Sequence, residues 1–136
     1  MKKLLLLGKE YSRGIPELDG YEVWALGTDR RDIKADRFYE VHGIDCGRDT
    51  HRFATDIFRS RGYPCYNSIA LMLAQAIEEA RHDFIWIVGS PCVGTKYTEE
   101  RASIAFMCGV AMASGIDVKW QGGLTLGKMY MEDGVW

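Results

Sequence analysis

The residues best suited to chemistry lie between Gly89 and Arg101, in the run Gly89-Ser90-Pro91-Cys92-Val93-Gly94-Thr95-Lys96-Tyr97-Thr98-Glu99-Glu100-Arg101. Its glycines and its Thr95-Lys96 pair come close to a phosphate-cradling loop. Such a loop needs Lys followed by Ser or Thr after the second glycine, so that the ammonium reaches phosphate and the hydroxyl reaches magnesium. Here Thr precedes Lys, and Pro91 removes an amide, so the nucleotide-hydrolysing form of the motif is not met. What the run retains is an anion site: backbone amides at a helix start, assisted by Thr95 and Lys96. Thr95 serves equally well as a simple helix cap. Tyr97, Glu100 and Arg101 follow at i, i+3 and i+4 and so share one helical face. On a cleft, Glu100 could accept hydrogen bonds from ribose hydroxyls or act as nucleophile or base, and Arg101 could hold a phosphate. The alternative for Glu100 and Arg101 is an exposed pair supporting the first helical turn.

Those residues need a strand to deliver them and a helix to carry them. Phe84 to Val88 (FIWIV) is a short apolar run rich in β-branched and aromatic residues, the pattern of a strand buried on both faces. Tyr97 to Ser114 reads as a helix, with acids at its start and Gly115 at its end. Along it Ala102, Ala105, Gly109 and Ala113 form a small-residue stripe, expected to let the helix lie close to a sheet. Ile116 to Trp120 is a second short strand, completing a β-α-β crossover and implying parallel pairing.

Earlier in the chain, Lys3 to Gly8, Tyr21 to Leu26 and Arg37 to Val41 read as strands. Gly47 to Arg61 reads as a surface helix carrying Phe53, Ile57 and Phe58. Asn67 or Ser68 can cap a further helix with Ile69, Met72, Leu73, Ala76 and Ile77 on one face. About five strands interleaved with helices predict a single-domain α/β chain, a doubly wound parallel sheet of Rossmann-like order 3-2-1-4-5. Ligands of such sheets sit outside the carboxyl ends of the strands. That edge collects Gly8-Lys9, Gly27-Thr28, His42, Gly89-Ser90 and Gln121-Gly122. His42 there can hydrogen-bond a ligand or move a proton near neutral pH, or be structural. Gly8, Lys9, Thr28, His42, Asn67, Ser68, Gly89 and Ser90 therefore join Thr95, Lys96, Tyr97 and Arg101 as candidate ligand contacts, with Glu100 the catalytic candidate. Among the aromatics, Tyr11, Trp24, Tyr66 and Tyr97 could stack a base, though core burial is the ordinary fate of such residues.

Bulk properties narrow the classes. The chain has 136 residues, 47% hydrophobic and 26% charged, ordinary values for one soluble domain. A net charge of −2 gives no long-range attraction to nucleic acid, so no direct DNA binding is expected. Leu4 to Leu7 is too short for a signal peptide and no segment reaches membrane-spanning length, so a cytoplasmic protein without a membrane partner is expected. Cys46, Cys65, Cys92 and Cys108 contain no C-x-x-C pair and read as reduced thiols, with neither a metal nor a cofactor motif. Met129, Tyr130, Met131 and Trp136 in the tail, with the methionine-bearing helix from Tyr97 to Ser114, predict a homo-oligomer.

The order of these blocks resembles a group of small Rossmann-like proteins of tailed bacteriophages. The matching segments are Leu4 to Gly8, Trp24-Ala25-Leu26-Gly27, Ala35-Asp36-Arg37-Phe38-Tyr39-Glu40-Val41-His42, Asn67 to Ala74, and the run with Tyr97, Glu100-Arg101, Gly109-x-Ala111 and Gly115-Ile116. Lys96 stands where that group often has an acid, and Glu100-Arg101 where it often has Gln-Arg. The resemblance implies a nucleotide- or nucleoside-sized ligand and a phage setting, in which a host nucleotide immune signal is sequestered or degraded. The last third also resembles, more distantly, nucleoside deoxyribosyltransferases, which would make Glu100 the nucleophile on an anomeric carbon.

Overall fold

Four consecutive leucines suit a strand covered on both faces, where every side chain is buried. Leu4, Leu5, Leu6 and Leu7 are each 0% exposed and form the body of β1 (Lys3–Leu7), the central strand of the sheet. The computed structural model describes residues 1–9, 19–29, 32–90 and 97–120. In chain order β1 is followed by β2 (Tyr21–Leu26), β3 (Arg37–Tyr39), α1 (Thr55–Arg61), α2 (Ser68–Glu79), β4 (Phe84–Val88), α3 (Thr98–Ala113) and β5 (Asp117–Trp120). The strands pair in the order β3-β2-β1-β4-β5, every ladder parallel. Leu5 lies between Val23 and Trp86, and Leu6 between Trp24 and Ile87.

The two-residue period of the strands sorts the core into two layers. Leu4, Leu6, Trp24, Tyr39, Ile85 and Ile87 pack with Phe58 of α1, the apolar face of α2, and Ile104 and Met107 of α3. Leu5, Leu7, Val23, Ala25 and Val88 face the other way, against Ile33 and Ala35 of the β2–β3 connection. From β1 the chain steps one way to β2, and from β4 it steps the other way to β5. The winding direction therefore reverses between β1 and β4. Among the described residues no helix is long and apolar enough to cross a membrane. Cys46, Cys65 and Cys108 are free thiols, and burial pushes the Cys108 thiol up to about 12.

Three expectations need correction. The helix expected over Gly47 to Arg61 forms only at Thr55–Arg61. The residues before it extend the sheet edge instead: the His51 amide donates to the Phe38 carbonyl at 2.7 Å, and Phe53 stacks on Tyr39 with centroids 4.3 Å apart. A sheet-edge bond and a ring stack outweigh the weak helical period of a polar segment. β3 stops at Tyr39 rather than Val41, because the Glu40 carboxylate turns back to accept the amides of His42 at 2.7 Å and Ile44 at 2.9 Å. The stripe of Ala102, Ala105, Gly109 and Ala113 does not face the sheet, since all four residues are exposed. α3 buries Ser103, Ile104, Met107, Cys108 and Ala111 instead, the face that removes more apolar area from water.

At the amino edge of the sheet a charge network joins β2, β3 and α2. Arg37 forks onto Glu79 through Nη1 at 2.6 Å and Nη2 at 3.0 Å, and its guanidinium lies 4.8 Å from the Trp24 ring centre. Glu22 accepts from the Trp24 indole at 3.1 Å and from Arg81 at 3.1 Å, and pairs with the buried His82 ring. Burial alone would push both carboxyls up. It is outweighed at Glu22 by hydrogen bonds from Arg81, Trp24 and His82, and at Glu79 by those from Arg37, Gln75 and Arg81, so each carboxyl is held down at about 2. Both groups titrate lower folded than unfolded. Their contribution is thus fully present above the ordinary value of 4.5 and lost as pH falls towards 2. Urea midpoints should be level between about pH 7 and pH 5 and fall steeply below that. Glu79→Gln should flatten the acid limb, and a slope identical to wild type would remove the network as its cause.

Candidate functional site

A crevice opens at the carboxyl edge where the winding reverses, as doubly wound sheets require. Its floor is set by the approach of two glycines. The Gly8 amide donates to the Val88 carbonyl at 2.7 Å, and a Cβ on Gly8 would stand 2.7 Å from the Gly89 carbonyl carbon. Gly89 itself turns with φ +78, a conformation side chains rarely adopt. Only glycine at both positions lets the ends of β1 and β4 run side by side into the cleft.

Two helix starts converge on the same space. The Asn67 side chain caps α2 by accepting from the Ala70 amide at 2.8 Å. The next amides, those of Ser68 and Ile69, have no acceptor within the helix and carry the positive end of its dipole. α3 begins after Tyr97, with Glu99 and Glu100 in its first turn. Ser103, 1% exposed, fastens the two starts together: its hydroxyl donates to the Pro64 carbonyl and accepts from the Tyr66 amide at 3.0 Å. On the far side, the Trp120 indole at the end of β5 donates to the Ser90 carbonyl at 2.9 Å and holds the loop after β4.

The resulting cavity measures about 240 Å³. Gly8 and Lys9 border it after β1, Asn67, Ser68 and Ile69 at the start of α2, Gly89 and Ser90 after β4, and Tyr97 and Glu100 at the start of α3; Leu26 closes it from the end of β2. Leu26 and Ile69 give it an apolar wall. Lys9 supplies a cation, Ser68 and Tyr97 supply hydroxyls, and Glu100 supplies a carboxylate that no described residue bonds. Such a set can hold a polar ring or sugar against the wall and an anion against Lys9 and the α2 amides.

Of the residues expected at a site, the ten described ligand candidates and Glu100 fall into three groups once placed. Gly8, Lys9, Asn67, Ser68, Gly89, Ser90, Tyr97 and Glu100 meet in this cavity. Arg101 is partly buried and lies outside its lining. Thr28 borders a separate hollow of about 190 Å³ with Asp29 and Arg48, and His42 is exposed on the turn made by Glu40. Thr95 and Lys96, like Tyr11, Cys92, Gln121, Gly122, Met129, Tyr130, Met131 and Trp136, lie outside the described residues. Trp24 is core and Tyr66 is exposed, which leaves Tyr97 as the described aromatic of the cavity. Among the described residues no group of His, Cys, Asp and Glu could hold a metal ion. The reading of the residues did not single out Leu26, Ile69, Ser103 or Trp120; a serine on the apolar face of a helix was the available signal for Ser103.

Comparison with protein-family models, with curated proteins and with solved structures returned no match. Assignment of this cleft therefore rests on its own geometry. That geometry makes Ser103 and Gly8 its supports. Ser103→Ala should lower stability by about 0.5–1.5 kcal/mol, because it removes both hydrogen bonds of the buried hydroxyl to the part-buried Pro64 carbonyl and Tyr66 amide. Gly8→Ala should cost about 1–3 kcal/mol through overpacking against Gly89. Denaturant unfolding of both variants checks this, and wild-type midpoints would show that the cleft does not depend on these contacts.

Proposed function

We propose that this cleft binds a nucleotide- or nucleoside-sized molecule, and that the protein acts by holding that ligand rather than converting it. The observation that carries the reading is the convergence of two helix starts and two glycine strand ends on one cavity at the reversal of the winding. A volume of about 240 Å³ lies below the ~300–1,000 Å³ of most small-molecule pockets, which favours a compact ligand over a dinucleotide. Lys9 and the α2 amides would meet a phosphate, Tyr97 a base, and Glu100 with Ser68 the sugar hydroxyls. The resemblance to Rossmann-like proteins of tailed phages supplies a setting: a homo-oligomeric protein of the host cytoplasm that sequesters a nucleotide immune signal.

A second reading makes Glu100 the nucleophile or base of a glycosidic or phosphodiester cleavage, and its carboxylate, which no described residue bonds, lines the cavity in favour of that. Against it, Glu100 is the one carboxylate among the described lining residues, so the paired carboxylates of many glycosidic cleavages are not met among them.

Incubation of the purified protein with a nucleotide pool, followed by heat release and mass spectrometry, separates the two. An unaltered nucleotide should be recovered. Lys9→Ala should weaken its binding by about 1–3 kcal/mol, and Glu100→Gln about tenfold, or ~1.4 kcal/mol. Turnover by wild type that vanishes in Glu100→Gln would make the protein an enzyme. No retention of any nucleotide or nucleoside at millimolar concentration would end the nucleotide reading altogether.

A further inference from the structure

A second hollow, of about 190 Å³, lies one strand away from the cleft, at the carboxyl end of β2. Gly27, Thr28 and Asp29 line it after β2, and Ile44, Asp45 and Arg48 line it from the loop after β3. That loop is braced by its own bonds. Glu40 accepts the His42 and Ile44 amides, and Asp45 Oδ1 accepts the Gly47 amide at 2.9 Å. The loop also lies tight against β2: a Cβ on Gly27 would stand 3.0 Å from Thr50 Cγ2 and 3.2 Å from Cys46 Sγ.

The charges of this hollow do not pair with one another. Arg48 is half-buried, and its guanidinium carbon lies 4.2 Å from the Phe38 ring centre. Its Nη1 is buried without a hydrogen-bond partner, and no described residue forms an ion pair with it. Asp45 is exposed, and no described residue bonds its Oδ2. An unbonded donor on a buried charged group is costly, and opposite charges that share a hollow ordinarily close on each other. Here the ring stack holds Arg48 and the turn at Gly47 holds Asp45, so the two stay apart. A site fixed open in this way is ready for a ligand without rearranging.

We infer that this hollow binds a small zwitterion, a free α-amino acid, with its carboxylate on Arg48 and its ammonium on Asp45. A ligand of one sign would satisfy one of these groups and be repelled by the other, whereas a zwitterion answers both. The buried carboxylate of Asp29, 3% exposed, adds to the case against a simple anion. A simple metal cation is no better served, since among the described residues no group of His, Cys, Asp and Glu could hold one. Thr28 offers the ligand a hydroxyl, and Ile44, 55% exposed, offers a short side chain an apolar wall. The hollow is below the ~300 Å³ at which most small-molecule pockets begin, which selects the smaller amino acids. The inference does not depend on what the cleft beside Glu100 binds.

Amide NMR titration of the full chain, near neutral pH and at constant ionic strength, reads the site. Glycine, alanine and serine are the probes. At least one should shift the amides of Thr28, Asp45 and Arg48 along a single saturable curve with a millimolar dissociation constant. Acetate, methylammonium and ribose, which present one end of the zwitterion or neither, should bind at least about tenfold more weakly. Arg48→Met keeps an apolar stem over Phe38 and should abolish the response; Arg48→Gln serves if that variant fails to fold. Asp45→Asn keeps an oxygen for the Gly47 amide and should weaken the amino acid about tenfold. Neither Arg48→Met nor Asp45→Asn removes a hydrogen bond within the chain, so both melting temperatures should stay close to that of wild type. Three results would each overturn the inference: no saturable shift with any of the three amino acids at about 50 mM, acetate or ribose binding as well as the best of them, or a response that survives unchanged in both the Arg48 and Asp45 variants.

Discussion

The approach of Gly8 to Gly89 is the contact on which the candidate site depends. Parallel strands deliver their carboxyl ends to one edge, but a cleft forms only where neighbouring connections leave in opposite directions. Here that place lies between β1 and β4, whose backbones come too close after the last strand residue for any side chain on Gly8. The closeness puts Lys9 and Ser90 at the same crevice, although 81 residues separate them in sequence. Trp120 holds Ser90 from the β5 side, and Ser103 holds the start of α2 from the α3 side. The cavity is thus tied through strand ends and helix starts rather than through its own loops.

The opposite edge solves a different problem. β3 ends the sheet on that side, and Arg37, Glu22, Glu79, Arg81 and His82 form a charged corner beside the starts of β2 and β3. Trp24 lies beneath them, with Arg37 over its ring and His82 edge-on at 5.8 Å. Partly buried ion pairs of this kind add stability only when each charge keeps its partners. The network sits at the amino edge, away from the cleft, so its acid sensitivity concerns the fold and leaves the chemistry of Lys9 and Glu100 aside.

Strand positions and their order were legible because a parallel sheet buried on both faces writes itself as continuous apolar runs. Leu4 to Leu7 and Phe84 to Val88 are short, apolar and closed by glycine, which favours a buried strand over a helix, and five strand runs separated by crossovers leave few topologies. The edge that carries the cleft followed from the topology, and so did eight of its lining residues, Glu100 included. What was not legible depended on tertiary context. The segment from Gly47 to Ala54 has a weak helical period, and only the proximity of Phe38 and Tyr39 turns it into a sheet-edge connection. Thr28 follows a strand as Gly8 does, but β2 lies one strand away from the reversal, so Thr28 borders a different hollow. Arg101 is one residue beyond Glu100, and a step of about 100° around a helix takes it off the cleft.

The small-residue stripe shows why composition alone misplaced a helix face. Small residues permit close approach, and the sheet is the nearest surface to approach, so pointing Ala102, Ala105, Gly109 and Ala113 inwards is the natural reading. The competing side carries Ile104, Met107 and Cys108, whose burial removes more apolar surface from water, and a single helix has one inward side to give. The sheet therefore claims the large residues, and the small ones are left facing out beside Phe106 and Met112. Gly109 is an outward glycine that costs helix stability, and a Cβ there would meet no described residue within 4 Å. The first turn of the helix answers to the cleft and its inner side to the sheet, and its outer side keeps the small residues that the sheet does not claim.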